Sequence, residues 1–321
     1  MAGSAPLPFT LYPLPEGTSL SAHFASGQDR CGIYVLTRED GSQYVGQAVD
    51  IVRRCADHVR RAGHAPGERI LAVHFAPAPK ADLDQLEQRV VTFHEDLEAK
   101  LRNKLLTGNP VGDSPLNATF DEAEQLAFLA DAEDLASVDP VAATRPPRGV
   151  AMKPGSARLL ARADAGIVLD VLAVYLLHAL PAPVATEGKF WHLSAPMRLA
   201  GSGLRVLARL TVQNVETLYV LEDPVQGVYA TLNLAPRPVL PSGYGAQETD
   251  HYSSNGPMQQ ARLYPEVVLE SLTGDPVFRT SARRAAVGLM RKGPSMKASS
   301  HDRGLADAVY ARITAAIKEH S

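Results

Sequence analysis

The clearest pattern of apolar and polar positions lies near the start of the chain. Cys31 to Thr37 (C-G-I-Y-V-L-T) is a β-branched and aromatic run, Glu39-Asp40-Gly41 interrupts it with polar turn residues, and Gln43 to Gly46 resumes it. This predicts a β-hairpin. A three-residue loop is expected, a type I turn followed by a left-handed residue, because Gly41 occupies the one position where that conformation costs nothing. Residue 38 then faces 42, 36 faces 44 and 34 faces 46. Side chains alternate with a period of two, so Tyr34 and Tyr44 emerge on one face as diagonal neighbours. A two-residue Asp40-Gly41 loop would put them on opposite faces.

The period then changes from two to about four. Asp50 is the expected N-cap of a helix through Arg61, in which Ile51, Cys55 and Val59 form the buried stripe. Arg54, His58 and Arg61 make a second row beside that stripe, while Arg53, Asp57 and Arg60 lie further out. Arg54 rather than Arg53 is thus the arginine at the edge of the core, where a guanidinium can fork onto phosphate. Ile70 to Phe75 predicts a third strand. A helix opened by Asp82 follows, with Leu83, Leu86, Val90, Val91, Leu97 and Leu101 at helical spacing and Asn103 closing it. Glu87 sits at the margin of that apolar face and is the acid expected to be half-buried.

Beyond this module the pattern predicts a second α+β domain over 156–321. Residues 1–27 form a Pro-rich extended arm, Phe120 to Leu135 an acidic amphipathic helix, and Asp139 to Gly155 a Pro-rich basic linker within a connecting region over 107–155. Ser156 to Leu180 is expected to be helical. Four strand candidates follow: Lys189 to Ser194, Leu204 to Gln213, Glu216 to Leu221 and Gly227 to Leu234. The second alternates, with Leu204, Val206, Ala208, Leu210 and Val212 on one face and Arg205, Arg209 and Thr211 on the other, predicting an antiparallel sheet with a basic, solvent-facing side. Trp191 in a strand is most often a core anchor. The polar stretch Tyr244 to Asn255 has the profile of a binding loop.

Composition narrows the function classes. The 321 residues are 45% hydrophobic and 21% charged, ordinary values for a globular protein. Cys31 and Cys55 are the only cysteines, which excludes a disulfide framework or a cysteine-rich zinc site and fits a cytoplasmic protein. The most apolar segment, Ile167 to Leu180, is too short for a membrane span and carries Asp170 and His178. The net charge of −3 is unevenly spread. Residues 81–140 hold 4 basic and 14 acidic residues, whereas 276–321 hold 9 basic and 3 acidic. The basic C-terminal row Arg279, Arg283, Arg284, Arg291, Lys292 and Lys297 is therefore the expected phosphate-contacting region, joined by Arg53 and Arg61 of the first module.

Gly32-Ile33-Tyr34, Tyr44-Val45-Gly46, an arginine ten residues after the second tyrosine, a histidine four later, a glutamate on the next long helix and an asparagine beyond it occur here in order. Over about residues 30–106 this order resembles the GIY-YIG nuclease superfamily. The resemblance implies a three-stranded antiparallel sheet flanked by helices, acting on DNA with Mg²⁺ or Mn²⁺. It implies that Tyr34, Tyr44, Arg54, His58, Glu87 and Asn103 are catalytic, with Glu87 holding the metal, the tyrosines and His58 handling the attacking water, and Arg54 stabilising the phosphorane. The gap from Glu87 to Asn103 is longer than the family's, which makes Asn117 the competing counterpart. The expected function is a metal-dependent endonuclease of restriction or repair type, the alternative being an idle GIY-YIG fold that only binds. One such site nicks one strand, so double-strand cleavage requires a homodimer or two sequential events.

Overall fold

The computed structural model describes residues 6–62, 66–97, 99–103, 114–130, 144–195, 203–249, 258–296 and 298–320. These fall into two compact units, residues 6–103 and 114–320. Both are α+β, and each is built on an antiparallel sheet.

The first unit contains β1 (Thr10–Pro13), β2 (Gly32–Arg38), β3 (Gln43–Ala48), α1 (Ile51–Ala62), β4 (Ile70–Pro77) and α2 (Leu83–Asp96). Its sheet has the order β1-β4-β2-β3. Four strands stand where three were expected, because Thr10–Pro13 of the Pro-rich arm pairs antiparallel with β4 and covers an edge that three strands would leave open. Alternation sorts the side chains into two layers. Tyr34, Leu36, Val73 and Phe75 pack on one face with Ile51 and Cys55 of α1 and with Leu14, Leu20 and Phe24 of the arm. Ile33, Val35 and Val45 pack on the other with Leu83, Val90 and Val91 of α2. Val59, expected in the buried stripe, is 50% exposed, so the apolar contact of α1 stops after Cys55.

Helix α2 ends at Asp96, not at Asn103. The chain turns there and runs parallel along the outer edge of β3, where Lys100 O accepts from Gln43 N and Arg102 N donates to Gln43 O, both at 2.8 Å. The unpaired edge of β3 competes successfully for backbone partners that a longer helix would have kept to itself. Leu101 is consequently buried against Val45, while Leu97 remains exposed.

The second unit contains α3 (Glu122–Ala130), α4 (Pro154–Leu160), α5 (Ala165–Ala179), α6 (Pro183–Thr186), β5 (Trp191–Ser194), β6 (Arg205–Val212), β7 (Val215–Asp223), β8 (Gly227–Leu234), β9 (Gln247–Thr249), β10 (Met258–Leu263), α7 (Pro265–Gly274), α8 (Pro276–Arg291) and α9 (Arg303–His320). The strand order is β5-β6-β7-β8-β10-β9. Helix α5 is largely apolar and lies in the core with the fully buried Trp191, apart from Asp170, which pairs with Arg312 of α9 at the surface. No helix among the described residues is long and apolar enough to cross a membrane.

Several expectations for this unit change. The basic, solvent-facing side of β6 is an ion-paired one. Arg209 meets Glu216 at 3.6 Å, Arg205 meets Glu222 at 3.3 Å, and Thr211 is buried. A bulge between Val206 and Ala208 breaks the alternation and turns Leu207 inward. The described part of the expected linker is held fast: Arg145 forks onto the buried Glu187 at 2.8 and 2.9 Å and reaches Asp307, and the Lys153 amide donates to Asp302. Residues 131–143, 250–257 and Lys297, which held parts of the acidic helix, linker, binding loop and basic row, lie outside the described residues.

Candidate active site

The hairpin that carries the two tyrosines forms in the expected register. Tyr34 pairs with Gly46 and Leu36 with Tyr44. Arg38 N donates to Ser42 O at 2.9 Å, closing a three-residue loop in which Gly41 has φ of +76°. The two phenols therefore share a face, with ring centroids 6.2 Å apart. Gly46 is required for this arrangement. A Cβ there would stand 2.5 Å from the Tyr34 hydroxyl and 2.9 Å from the Tyr44 ring, so the missing side chain is the space in which Tyr34 lies.

Helix α1, capped where the Asp50 carboxylate accepts from Arg53 N at 3.1 Å, brings Arg54 and His58 onto the tyrosines. Tyr34 Oη accepts from Arg54 Nε at 3.2 Å and bonds His58 Nε2 at 2.9 Å. The His58 ring also packs on Tyr44, 5.0 Å between centroids. Arg53 is exposed, as the helical spacing anticipated, and Arg61 is exposed too. Burial raises the Tyr34 phenol well above the usual range, only partly opposed by the Arg54 hydrogen bond. Burial also pushes His58 down to about 4, helped by the charges of Arg54, Arg38 and Arg61. At neutral pH the cluster thus consists of a protonated phenol, a neutral imidazole and a guanidinium.

Glu87 approaches from α2, on the other layer. It is half-buried, and its Oε2 accepts from Gln47 Nε2 at 3.0 Å. Desolvation raises its carboxyl, the Gln47 bond lowers it, and nearby Asp84 raises it further. Its charge acts weakly on Tyr34, raising the phenol, and its carboxyl is itself lowered by Arg54. Asn103 has a different place. It is buried, with Oδ1 accepting from Val45 N at 2.9 Å and Nδ2 donating to Val45 O at 2.7 Å, so its carboxamide extends the pairing of the β3 edge as a peptide unit would. Asn117 belongs to the second unit, where its Oδ1 accepts from Gln125 at 3.0 Å.

The C-terminal basic row divides. Arg284 is exposed and Lys292 half-buried. Arg283 and Arg291, expected on DNA, are buried, as is Arg279. Arg283 donates to His178 O at 2.8 Å and Phe128 O at 2.6 Å, carbonyls near the C-terminal ends of α5 and α3. Arg279 donates to Leu272 O and Thr273 O at the end of α7, and Arg291 donates to Gln125 at 2.7 Å. Helix C-termini leave carbonyls without intrahelical donors, and Arg279 and Arg283 supply them, whereas Arg291 is held by the side-chain carbonyl of Gln125.

Sequence reasoning passed over Gln47 and Asp84, which bond each other at 2.6 Å beside Glu87. The signal was available: residue 47 shares the Val45 face of the strand, and residue 84 lies one turn before Glu87 on the helix. Among the described residues no group of three or more His, Cys, Asp and Glu side chains could hold a metal ion. Comparison with protein-family models, with curated proteins and with solved structures returns no match to this chain.

Proposed function

We propose that the first unit is a metal-dependent endonuclease that hydrolyses DNA phosphodiester bonds through a site of the GIY-YIG kind. The observation that carries this reading is the single cluster of Tyr34, Tyr44, Arg54 and His58, in mutual contact on one sheet face and within electrostatic range of Glu87. The donor set suits Mg²⁺ or Mn²⁺, since such ions take one or two carboxylates and complete their shell with water and substrate oxygens, and Glu87 with Asp84 nearby offers that. When bound, the ion would act as a Lewis acid on the scissile phosphate.

The chain's own residues do the rest. Tyr34 Oη accepts from Arg54 and has its own hydrogen to give to His58 Nε2. A water donating to Tyr34 can pass its proton on to the neutral imidazole as it attacks, with the phenol as conduit rather than as a free phenolate. Arg54, held charged by the Tyr34 oxygen, faces the charge that develops on the phosphate. Tyr44 packs on His58 and restrains the ring that receives the proton.

The test compares wild type with Glu87→Ala on supercoiled plasmid in Mg²⁺ or Mn²⁺. Wild type is expected to nick and the variant to lose at least roughly 100-fold in rate. Equal cutting by both would overturn the proposed Glu87-dependent site, and cutting by neither across a panel including modified and branched DNA would overturn the proposal in favour of an idle binding fold.

A further inference from the structure

Gln47 stands on the edge strand β3, next to Gly46 and paired with Ile33. Alternation turns it away from Tyr34 and Tyr44 and towards α2. Asp84 and Glu87, three residues apart on that helix, present their carboxylates on one side. A primary amide nitrogen carries two hydrogens, and Gln47 Nε2 uses both, on Glu87 Oε2 at 3.0 Å and on Asp84 Oδ1 at 2.6 Å. The two like charges are thereby bridged by one neutral donor, and Glu87 is tied to the strand that also carries Tyr44.

We propose that Gln47 is the positioning residue for the Glu87 carboxylate: it holds one oxygen, fixes the side-chain rotamer, and leaves Oε1 to receive a divalent cation. The inference rests on the reading of Glu87 as the metal-holding residue. Without Gln47, Glu87 would have to be ordered by the cation itself, and the two carboxylates would face each other with no donor between them. Partners that orient a metal-holding side chain typically contribute 10- to 100-fold in metal affinity. A tether with no such role would affect only the attachment of α2 to β3.

Direct Mn²⁺ binding, followed by the electron paramagnetic resonance signal of the free ion in the absence of DNA, separates these possibilities. Full-length wild type, Gln47→Leu, Gln47→Met and Glu87→Ala are titrated, and thermal melting confirms folding. Methionine keeps the length of the side chain and serves if leucine fails to fold. The expected result is tight-site binding weakened about 10-fold or more in Gln47→Leu and Gln47→Met and abolished in Glu87→Ala. Wild-type Mn²⁺ affinity in a folded Gln47 variant, with binding lost in Glu87→Ala, would overturn the positioning role and leave the Glu87 reading intact. Undiminished binding in Glu87→Ala would remove both.

Discussion

A methyl group added to Gly46 would meet the Tyr34 hydroxyl at 2.5 Å, in a strand whose backbone any residue could adopt. The cost of a side chain there falls on the tyrosine, which must leave the contacts it makes with Arg54 and His58. Displacing a reacting group by about an ångström costs on the order of 100-fold in rate. Gly46→Ala is therefore expected to lose about that factor in cleavage while circular dichroism retains the folded spectrum. Unchanged cleavage would mean that Tyr34 does not act from this position. Residue identity alone suggested the tyrosines, the arginine and the histidine, and these do converge. It could not suggest the role of Asn103, whose partners are the backbone N–H and C=O of Val45, because a backbone partner has no signature in the sequence.

At the scale of elements, local chemistry was legible and distant satisfaction was not. The hairpin register follows from a loop of three residues ending in Gly41, a choice made within ten positions of the chain. The register determines which face both phenols occupy. Helix α8 shows the opposite case. Its arginines look like a phosphate-binding row until the surrounding Ala282, Ala285, Ala286, Val287, Leu289 and Met290 are seen to be buried as well. A helix apolar on most sides is a core helix, and arginines inside one must find acceptors there. Those acceptors are the ends of α3, α5 and α7, brought to α8 only by the fold. Replacing Arg283 by methionine leaves two helix-end carbonyls without this donor, a loss of about 2–3 kcal/mol in chemical denaturation. The slope of log DNA affinity against log salt should stay at the wild-type value, since each phosphate contact removed would reduce it by nearly one. A shallower slope would return Arg283 to the DNA surface.

On the scale of the whole chain, residues ahead of 156 are tied into the second unit by ion pairs between residues far apart in sequence. Proline and basic residues made 139–155 resemble a linker, yet its described part completes a buried knot. Glu187 receives the guanidinium of Arg145 and bonds His301 at 3.0 Å, Asp307 receives Arg145 and the amide of Arg148 at 2.7 Å, and Arg145 stacks on Tyr310 at 4.5 Å. The Glu187 carboxyl is held down at about 2 despite its burial, through its bonds to His301 and Arg145. Its contribution to stability is thus present above pH 4.5 and is lost as the pH falls towards 2. A fragment that begins at residue 156, where pattern alone places the domain, deletes Arg145 and Arg148 and leaves the Glu187 carboxylate, whose side chain is fully buried in the intact unit, with His301 alone. Breaking a buried pair by removing one partner costs roughly 3–5 kcal/mol, a large part of the 5–15 kcal/mol that holds a domain together. It also deletes Gln125 and Phe128, acceptors of Arg291 and Arg283. Thermal unfolding of residues 114–321 and 156–321 should therefore differ by roughly 10 °C or more, with the longer fragment unfolding cooperatively. Equal melting temperatures would show that 144–153 is a linker after all, and that the knot adds nothing to the unit it closes.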